Sequence, residues 1–111
     1  MTNDDQLDAA FSALAHPARR AILLHLAQGT ASVNALAEPF DMTLPAVSKH
    51  IRVLERAGLI SREKDAQFRL CKLETAPIQE IASWTERYRW IWEARLDSLD
   101  TLLADMKEKD T

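Results

Sequence analysis

The side chains best suited to chemistry gather between positions 43 and 69. Thr43 and Ser48 carry hydroxyls, and Lys49, Arg52 and Arg56 face only one acid, Glu55, within residues 43–56. Hydroxyls, ammonium and guanidinium groups are the donors that bind phosphate oxygens and base edges, and Arg or Lys reads guanine at O6 and N7. Leu44 and Ala46 could meet a thymine methyl if they point outward. Further along, Arg62, Lys64 and Arg69 add cations that would reach a neighbouring phosphate or a minor groove. Other chemistry is thin. His16, His25 and Cys71 lie far apart in sequence. Zinc wants about four N, S or O ligands, and soft ions want thiolates, so one cysteine cannot build such a site. A redox switch would want a second, resolving cysteine. No nucleophile–His–acid arrangement, phosphate-cradling glycine loop or metal-ligand spacing is present, so neither an enzyme nor a cofactor is expected.

The elements that must position these residues follow from periodicity. Residues 5–14 place Leu7, Ala10, Phe11 and Leu14 at helical spacing. His16-Pro17 breaks that helix, and Pro17 suits the first turn of a second one over 17–28. Ala18, Ile22 and Leu26 share its face, with Ala21, Leu24 and His25 close by, and Gly29 ends it. Ser32 can cap a short third helix carrying Val33, Leu36 and Ala37, which Pro39 stops. Thr43 caps a fourth, with Pro45 tolerated in its first turn, and Gly58 ends it. Val47, Ile51 and Leu54, spaced four and three apart, must face inward. The period then changes: residues 59–63 and 68–73 read as two short strands, joined by a turn over Lys64-Asp65-Ala66-Gln67. Thr75 can cap a last helix with Pro77 in its first turn, running without Gly or Pro to about residue 108. The fold class is mainly α with a two-stranded β wing, in the order α-α-α-α-β-β-α.

Size and charge bound the function. A chain of 111 residues, 47% hydrophobic and 28% charged, is one small globular domain and not a two-domain enzyme. No apolar run approaches the roughly 18 residues that cross a bilayer. The opening MTNDDQLDAAF is acidic where a secretory signal is basic, and a single cysteine suits a reducing compartment, so a cytoplasmic protein is expected. The net charge of −3 argues at first against a nucleic-acid partner. The distribution argues otherwise: residues 1–15 and 93–111 each carry −3, which leaves +3 in the middle. A locally basic segment still attracts phosphate, because the field within about a Debye length outweighs the total. A merely solvated helix face remains the bland alternative.

The last helix asks for a partner. Residues 76–108 as one helix would be about 50 Å long, against a width of roughly 30–35 Å for a compact chain of this size. Its stripe stays apolar throughout: Ile81, Trp84, Tyr88, Ile91, Trp92, Leu96, Leu99, Leu103 and Met106. Leaving such side chains in water forgoes roughly 1.5–3 kcal/mol each. Pairing with a second copy, with Leu7 and Phe11 of the first helix joining in, covers them; a two-fold dimer is the commonest closed symmetry. A helix bent back onto its own domain is the alternative. Trp84 and Trp92 read as interface or core anchors, and Trp90 lies off the stripe without a role.

From Ser32 to Leu59 the chain is a helix, a turn of a few residues and a helix, as in a helix-turn-helix. The second helix of that motif lies in the major groove, and a following two-stranded ribbon makes the winged variant. The segments MTLPAVSKHIRVLERAGLI (42–60), FSALAHPARRAILLHL (11–26) and PIQEIASWTERYRWIWEARLDSLDTLL (77–103) resemble, in order, the recognition helix with first wing strand, the opening pattern and one subgroup's terminal dimer helix of the ArsR/SmtB family of bacterial winged-helix regulators. The resemblance implies a homodimeric repressor on an inverted-repeat operator of double-stranded DNA, joined through its first and last helices. It also implies that Ser48, Lys49 and His50 lie at or near the DNA face. From the residues alone, His50 beside the Val47–Ile51 stripe reads equally as a packing residue. The DNA-binding set is therefore Thr43, Leu44, Pro45, Ser48, Lys49, His50, Arg52, Arg62, Lys64 and Arg69. The dimer set is Leu7, Phe11, Ile81, Trp84, Tyr88, Ile91, Trp92, Leu96, Leu99 and Leu103.

Two departures from the family pattern matter. The wing turn is often glycine-bearing in such proteins, whereas here it holds Asp65-Ala66, and Asp65 would repel phosphate. Metal-sensing members carry a cysteine pair in the third helix or His and acidic ligands along the last one; here SVNALAEPF has neither Cys nor His, and the last helix has no His. An unidentified small-molecule effector could sit in an apolar pocket at the dimer seam, but side-chain types do not name it. The competing functional class is a winged-helix module that docks protein through its Trp-rich helix.

Overall fold

The computed structural model describes residues 3–65 and 68–109. The elements are α1 (Asn3–Leu14), α2 (Pro17–Leu26), β1 (Ala31–Ser32), α3 (Val33–Ala37), α4 (Leu44–Arg56), β2 (Ile60–Asp65), β3 (Phe68–Leu73), α5 (Ala76–Glu86) and α6 (Arg89–Lys109). The chain divides into two compact units, Met1–Ile81 and Ala82–Thr111.

In the first unit the α1–α2 corner is built by its own sequence. His16 takes an extended conformation (φ −134°, ψ 128°), as a residue before proline must, and its Nδ1 accepts the Ala18 N–H at 3.1 Å. Arg19 and Arg20 then turn back onto the end of α1. Arg19 Nε donates to the Ala13 carbonyl at 2.6 Å and Arg20 Nη1 to the Leu14 carbonyl at 2.8 Å. Cationic donors at a helix C-terminus satisfy orphan carbonyls and oppose the macrodipole. Ser32 Oγ accepts the Ala35 N–H at 3.1 Å and Thr43 Oγ1 the Ala46 N–H at 3.3 Å, so both expected caps are made. Gly58 at φ +77° closes α4: the Leu59 N–H reaches the Leu54 carbonyl and the Gly58 N–H the Glu55 carbonyl, both at 3.0 Å. That is a Schellman ending, in which glycine avoids the left-handed penalty.

Val47, Ile51 and Leu54 are wholly buried, and with Ile22, Leu36, Leu59 and Cys71 they form the centre of the core. On α2 the buried residues are Ile22, Leu23 and Leu26, whereas Leu24 is 72% exposed. The inward face therefore includes Leu23 and not Leu24, because α2 is held by α1, α4 and β3 together and the sequence pattern alone does not fix its rotation.

The expected two-stranded wing is present as β2 and β3, and a short strand that the sequence did not announce, β1, joins it. The sheet has three antiparallel strands in the order β1-β3-β2, with Ala31 opposite Cys71 and Ser32 opposite Leu70. A two-residue strand has no readable period, and its pairing exists only because β3 lies alongside. β2 also runs on to Asp65, so Lys64 and Asp65, expected in the turn, are strand residues; Ala66 and Gln67 lie outside the described residues. The base of the ribbon is fastened by Ser61 Oγ donating to Glu74 Oε1 at 2.6 Å and the Glu74 N–H reaching the Leu59 carbonyl at 2.9 Å.

The expected single helix over 76–108 is two helices, parted at Arg87-Tyr88. The Arg87 and Tyr88 N–H groups bond the Trp84 and Thr85 carbonyls, an i→i−3 pattern. Thr85 Oγ1 donates to the Ala82 carbonyl at 2.9 Å beside this break, as Thr101 Oγ1 does to the Asp97 carbonyl at 3.0 Å within the unbroken α6. Within the second unit, Arg89 pairs with Glu86 and Glu93, each at 2.8 Å, and the Trp84 and Tyr88 rings lie 4.8 Å apart. The α6 side chains Trp92, Leu96, Leu99, Leu103 and Met106 are all about half exposed.

Candidate nucleic-acid interface

The solvent face of α4 is set by what its other face buries. With Val47, Ile51 and Leu54 in the core, Thr43, Leu44, Pro45, Lys49 and Arg52 are exposed, and Ser48 is half-buried. Arg56 is exposed as well and continues the row of Lys49 and Arg52 at helical spacing. Among the described residues none of these three cations has a salt-bridge partner. Glu55, the acid of this stretch, is turned aside: Arg62 Nε on β2 bonds its Oε1 at 3.3 Å. The face therefore offers uncompensated positive charge at the end of a short helix–turn–helix. Thr43 gives its oxygen to the cap, and its hydroxyl proton remains available to an acceptor.

On the ribbon, Lys64 lies directly opposite Arg69, and both are exposed. Like charges in direct cross-strand register destabilise a sheet, so the pair is a local cost that an anion would relieve. Arg62 pairs in register with Cys71, is half-buried, and is engaged by Glu55, which ties β2 to α4. Burial pushes the Cys71 thiol up from its ordinary value, against the pull of Arg62 and with Glu55 adding to the rise. A buried protonated thiol is a core side chain.

His50 stands apart from the other α4 residues. Its ring packs on that of His16, with centroids 4.4 Å apart and planes inclined by 50°, and its Nδ1 is buried without a hydrogen-bond partner. Burial chiefly, then His16, Arg19 and Lys49, hold its pKa below the usual histidine value. Of the residues expected at the dimer contact, Leu7 and Phe11 lie on α1 and Ile81 on α5 in the first unit, while Trp84, Tyr88, Ile91, Trp92, Leu96, Leu99 and Leu103 belong to the second. The sequence reading counted Arg56 among the cations of residues 43–56 but left it out of the DNA-binding set, although its spacing from Lys49 and Arg52 was legible. It also passed over the helix-end roles of Arg19 and Arg20, which needed the corner geometry. Trp90, 68% exposed, and Leu102, 55% exposed, are apolar groups outside the stripe.

Comparison with known proteins agrees with this geometry. A family profile described as a helix-turn-helix domain matches residues 14–63. The transcriptional repressor SdpR of Bacillus subtilis (strain 168) is 32% identical over 78 residues, which span 70% of this chain and 87% of that protein. A crystal structure of the ArsR family transcriptional regulator RHA00566 superposes with a TM-score of 0.74 at 41% identity, covering 83% of this chain and 95% of the other. The chain belongs to the ArsR/SmtB family of winged helix-turn-helix transcriptional regulators. A homodimeric winged helix-turn-helix DNA-binding domain from Mycobacterium bovis superposes with a TM-score of 0.60 at 25% identity, covering 96% of this chain and 85% of the other.

Metal sensing within the ArsR/SmtB family needs thiolate pairs or His and carboxylate clusters. Among the described residues no three His, Cys, Asp or Glu side chains gather to hold an ion, and Cys71 is buried with its thiol favoured. The described side chains of one chain therefore do not by themselves make up the donor set that zinc or a soft ion takes. No helix among the described residues is long and apolar enough to cross a membrane.

Proposed function

We propose that this ArsR/SmtB-family chain is a cytoplasmic homodimeric repressor that reads an inverted-repeat operator with the helix over residues 43–57. The observation that carries the reading is the exposed row Lys49, Arg52 and Arg56 on the solvent side of α4, without a salt-bridge partner among the described residues, behind which Val47, Ile51 and Leu54 are buried in the core. Phosphate contacts from these cations supply salt-dependent affinity, and base-edge contacts from Thr43, Ser48, Lys49 and Arg52, with Leu44 and Pro45 against thymine methyls or sugar, supply choice of site. Lys64 and Arg69 reach the flanking phosphate. Arg62 supports the wing through Glu55.

The whole of residues 1–111 works as one winged-helix DNA-binding domain whose segment 76–108 dimerises. Ile81, Trp84, Tyr88, Ile91, Trp92, Leu96, Leu99 and Leu103 meet their copies, with Leu7 and Phe11 beside them. Two-fold pairing sets two recognition helices about 34–36 Å apart, one turn of DNA. A small-molecule effector would act by changing that spacing, since a ligand shifts states only through differential affinity.

Selection of bound duplexes from a random pool, followed by gel retention at low salt, tests the proposal. The expected result is a two-fold symmetric consensus bound by a dimer, with affinity falling as salt rises. Absence of retention at low salt would overturn it and favour a protein-docking module that uses the Trp-rich helix.

A further inference from the structure

The contact between His16 and His50 engages one ring nitrogen as an acceptor and encloses another. His16 sits at the α1–α2 corner, and its Nδ1 is the acceptor that caps α2, so that nitrogen carries no proton while the cap stands. The single ring proton of His16 is therefore on Nε2. His50, on α4, presses its ring to that of His16 at a centroid separation of 4.4 Å and encloses its own Nδ1 away from solvent and partners. A second proton on either ring places a cation against the other ring. On His16 it also removes the acceptor of the Ala18 N–H.

The charged groups that face His50 act in the same direction. From α2 the Arg19 guanidinium, fixed on the Ala13 carbonyl, acts on it; from α4 itself, Lys49; from the corner, His16. All the groups that shift it disfavour the charged form, and the resulting pKa lies below the ordinary histidine value, burial being the largest cause. The sign follows. A histidine whose folded pKa is depressed adds stability above its unfolded value of about 6.5, and that contribution is lost as pH falls through the folded value. The contact joins the N-terminus of α2 to the middle of α4, the helix whose outer face carries Lys49 and Arg52.

We propose that His16 and His50 are positioning residues for the DNA-reading helix: their ring contact holds α4 at its seat on the α1–α2 corner, and protonation of His50 in that contact loosens α4 and releases operator DNA. This rests on α4 being the helix that contacts DNA, as proposed above. It also accounts for His50 being a recognition-helix residue whose ring faces the protein. The sense of the effect is opposite to the general one, since added positive charge strengthens binding to phosphate. Acid-induced loss of operator binding is therefore diagnostic.

The test uses the full chain and a duplex that the wild type selects from a random pool at about pH 7.5, where histidine is uncharged. Two variants accompany it. His16→Asn keeps a capping oxygen for the Ala18 N–H but cannot titrate, and the double variant His16→Asn, His50→Leu also removes the enclosed nitrogen. Circular dichroism at each pH confirms folding. Between about pH 7.5 and pH 5.5 the wild type is expected to lose about tenfold in affinity for the selected duplex, a larger loss than for a scrambled duplex, while the double variant changes about twofold or less. On the wild type, NMR titration is expected to show the His50 ring resonances moving at a pH below the ordinary histidine value of about 6.5. Wild-type affinity that is flat or rises on acidification would overturn the proposal, as would a double variant that keeps the tenfold loss. A chain that selects no duplex at about pH 7.5 would instead overturn the DNA-binding role of α4 itself.

Discussion

The two principal helices of this chain are finished to different degrees. On α4 the apolar residues Val47, Ile51 and Leu54 are wholly buried, and the opposite face carries Lys49, Arg52 and Arg56. On α6 the apolar residues Trp92, Leu96, Leu99, Leu103 and Met106 are all about half exposed. α4 segregates its apolar and polar residues onto two faces more sharply than α6 does, and the two helices differ further in how completely their apolar residues are buried. The core of the first unit satisfies α4, and its remaining face is free to meet a ligand of the opposite charge. The apolar side chains of α6 keep about half of their surface exposed, and a face of that kind is what a second copy covers in the proposed dimer. Under the proposed function, the polar outer face of α4 serves recognition and the apolar face of α6 serves assembly.

The sharpest way to break that contrast is to make α6 polar. Leu99→Asp with Leu103→Asp removes apolar burial worth about 1.5–3 kcal/mol per side chain, counted twice across a two-fold axis. Sedimentation equilibrium at micromolar concentration should then find a monomer, and operator binding should fall with it. A dimer of undiminished affinity would show that α6 buries nothing between copies. Next comes the core under α4. Ile51→Ala should lower the unfolding free energy by about 2–5 kcal/mol in urea titrations, because Ile51 is wholly buried and its site cannot readily collapse. A loss as small as that of a surface substitution would mean that α4 is not anchored as described.

The outer face of α4 predicts a smaller effect of a different kind. Lys49→Ala and Arg52→Ala should each cost about 1–3 kcal/mol in operator affinity, and each should reduce the slope of log affinity against log salt by about one. Stability should hardly change, since both side chains are exposed. An unaltered salt slope in both variants would remove them from the phosphate contact. The smallest effect belongs to the tie between α4 and the wing. A double-mutant cycle on Glu55 and Arg62 should give a coupling below about 1 kcal/mol, since the pair is only partly shielded and spans 3.3 Å. It should shrink further in high salt.

Much of the fold was readable because its signals are local. Ser32 and Thr43 announced helix starts as cap residues, Gly58 announced a helix end, and the spacing of Val47, Ile51 and Leu54 named the buried face. Each such signal depends on neighbours within about one helical turn, so chain order suffices to express it. Most of what escaped depends on partners distant in sequence. The strand Ala31–Ser32 exists because Cys71 and Leu70 lie opposite. The choice of Leu23 over Leu24 depends on how α2 is rotated against three other elements. The break at Arg87-Tyr88 shows as i→i−3 bonding with no Gly or Pro to announce it.

The interface divides along the same line. The run of hydroxyls and cations from Thr43 to Arg56 followed from residue types and a period of 3.6, and so did its separation from the core. That Glu55 is drawn off by Arg62, that Lys64 stands opposite Arg69, and that His50 turns to His16 followed only once the strands and the corner were in place. A helix fixes the direction of its side chains through its own geometry, so a single stretch of sequence states which groups share a face. Which of those groups then stays free, paired or enclosed is decided by whatever packs beside them, and only the folded chain supplies that.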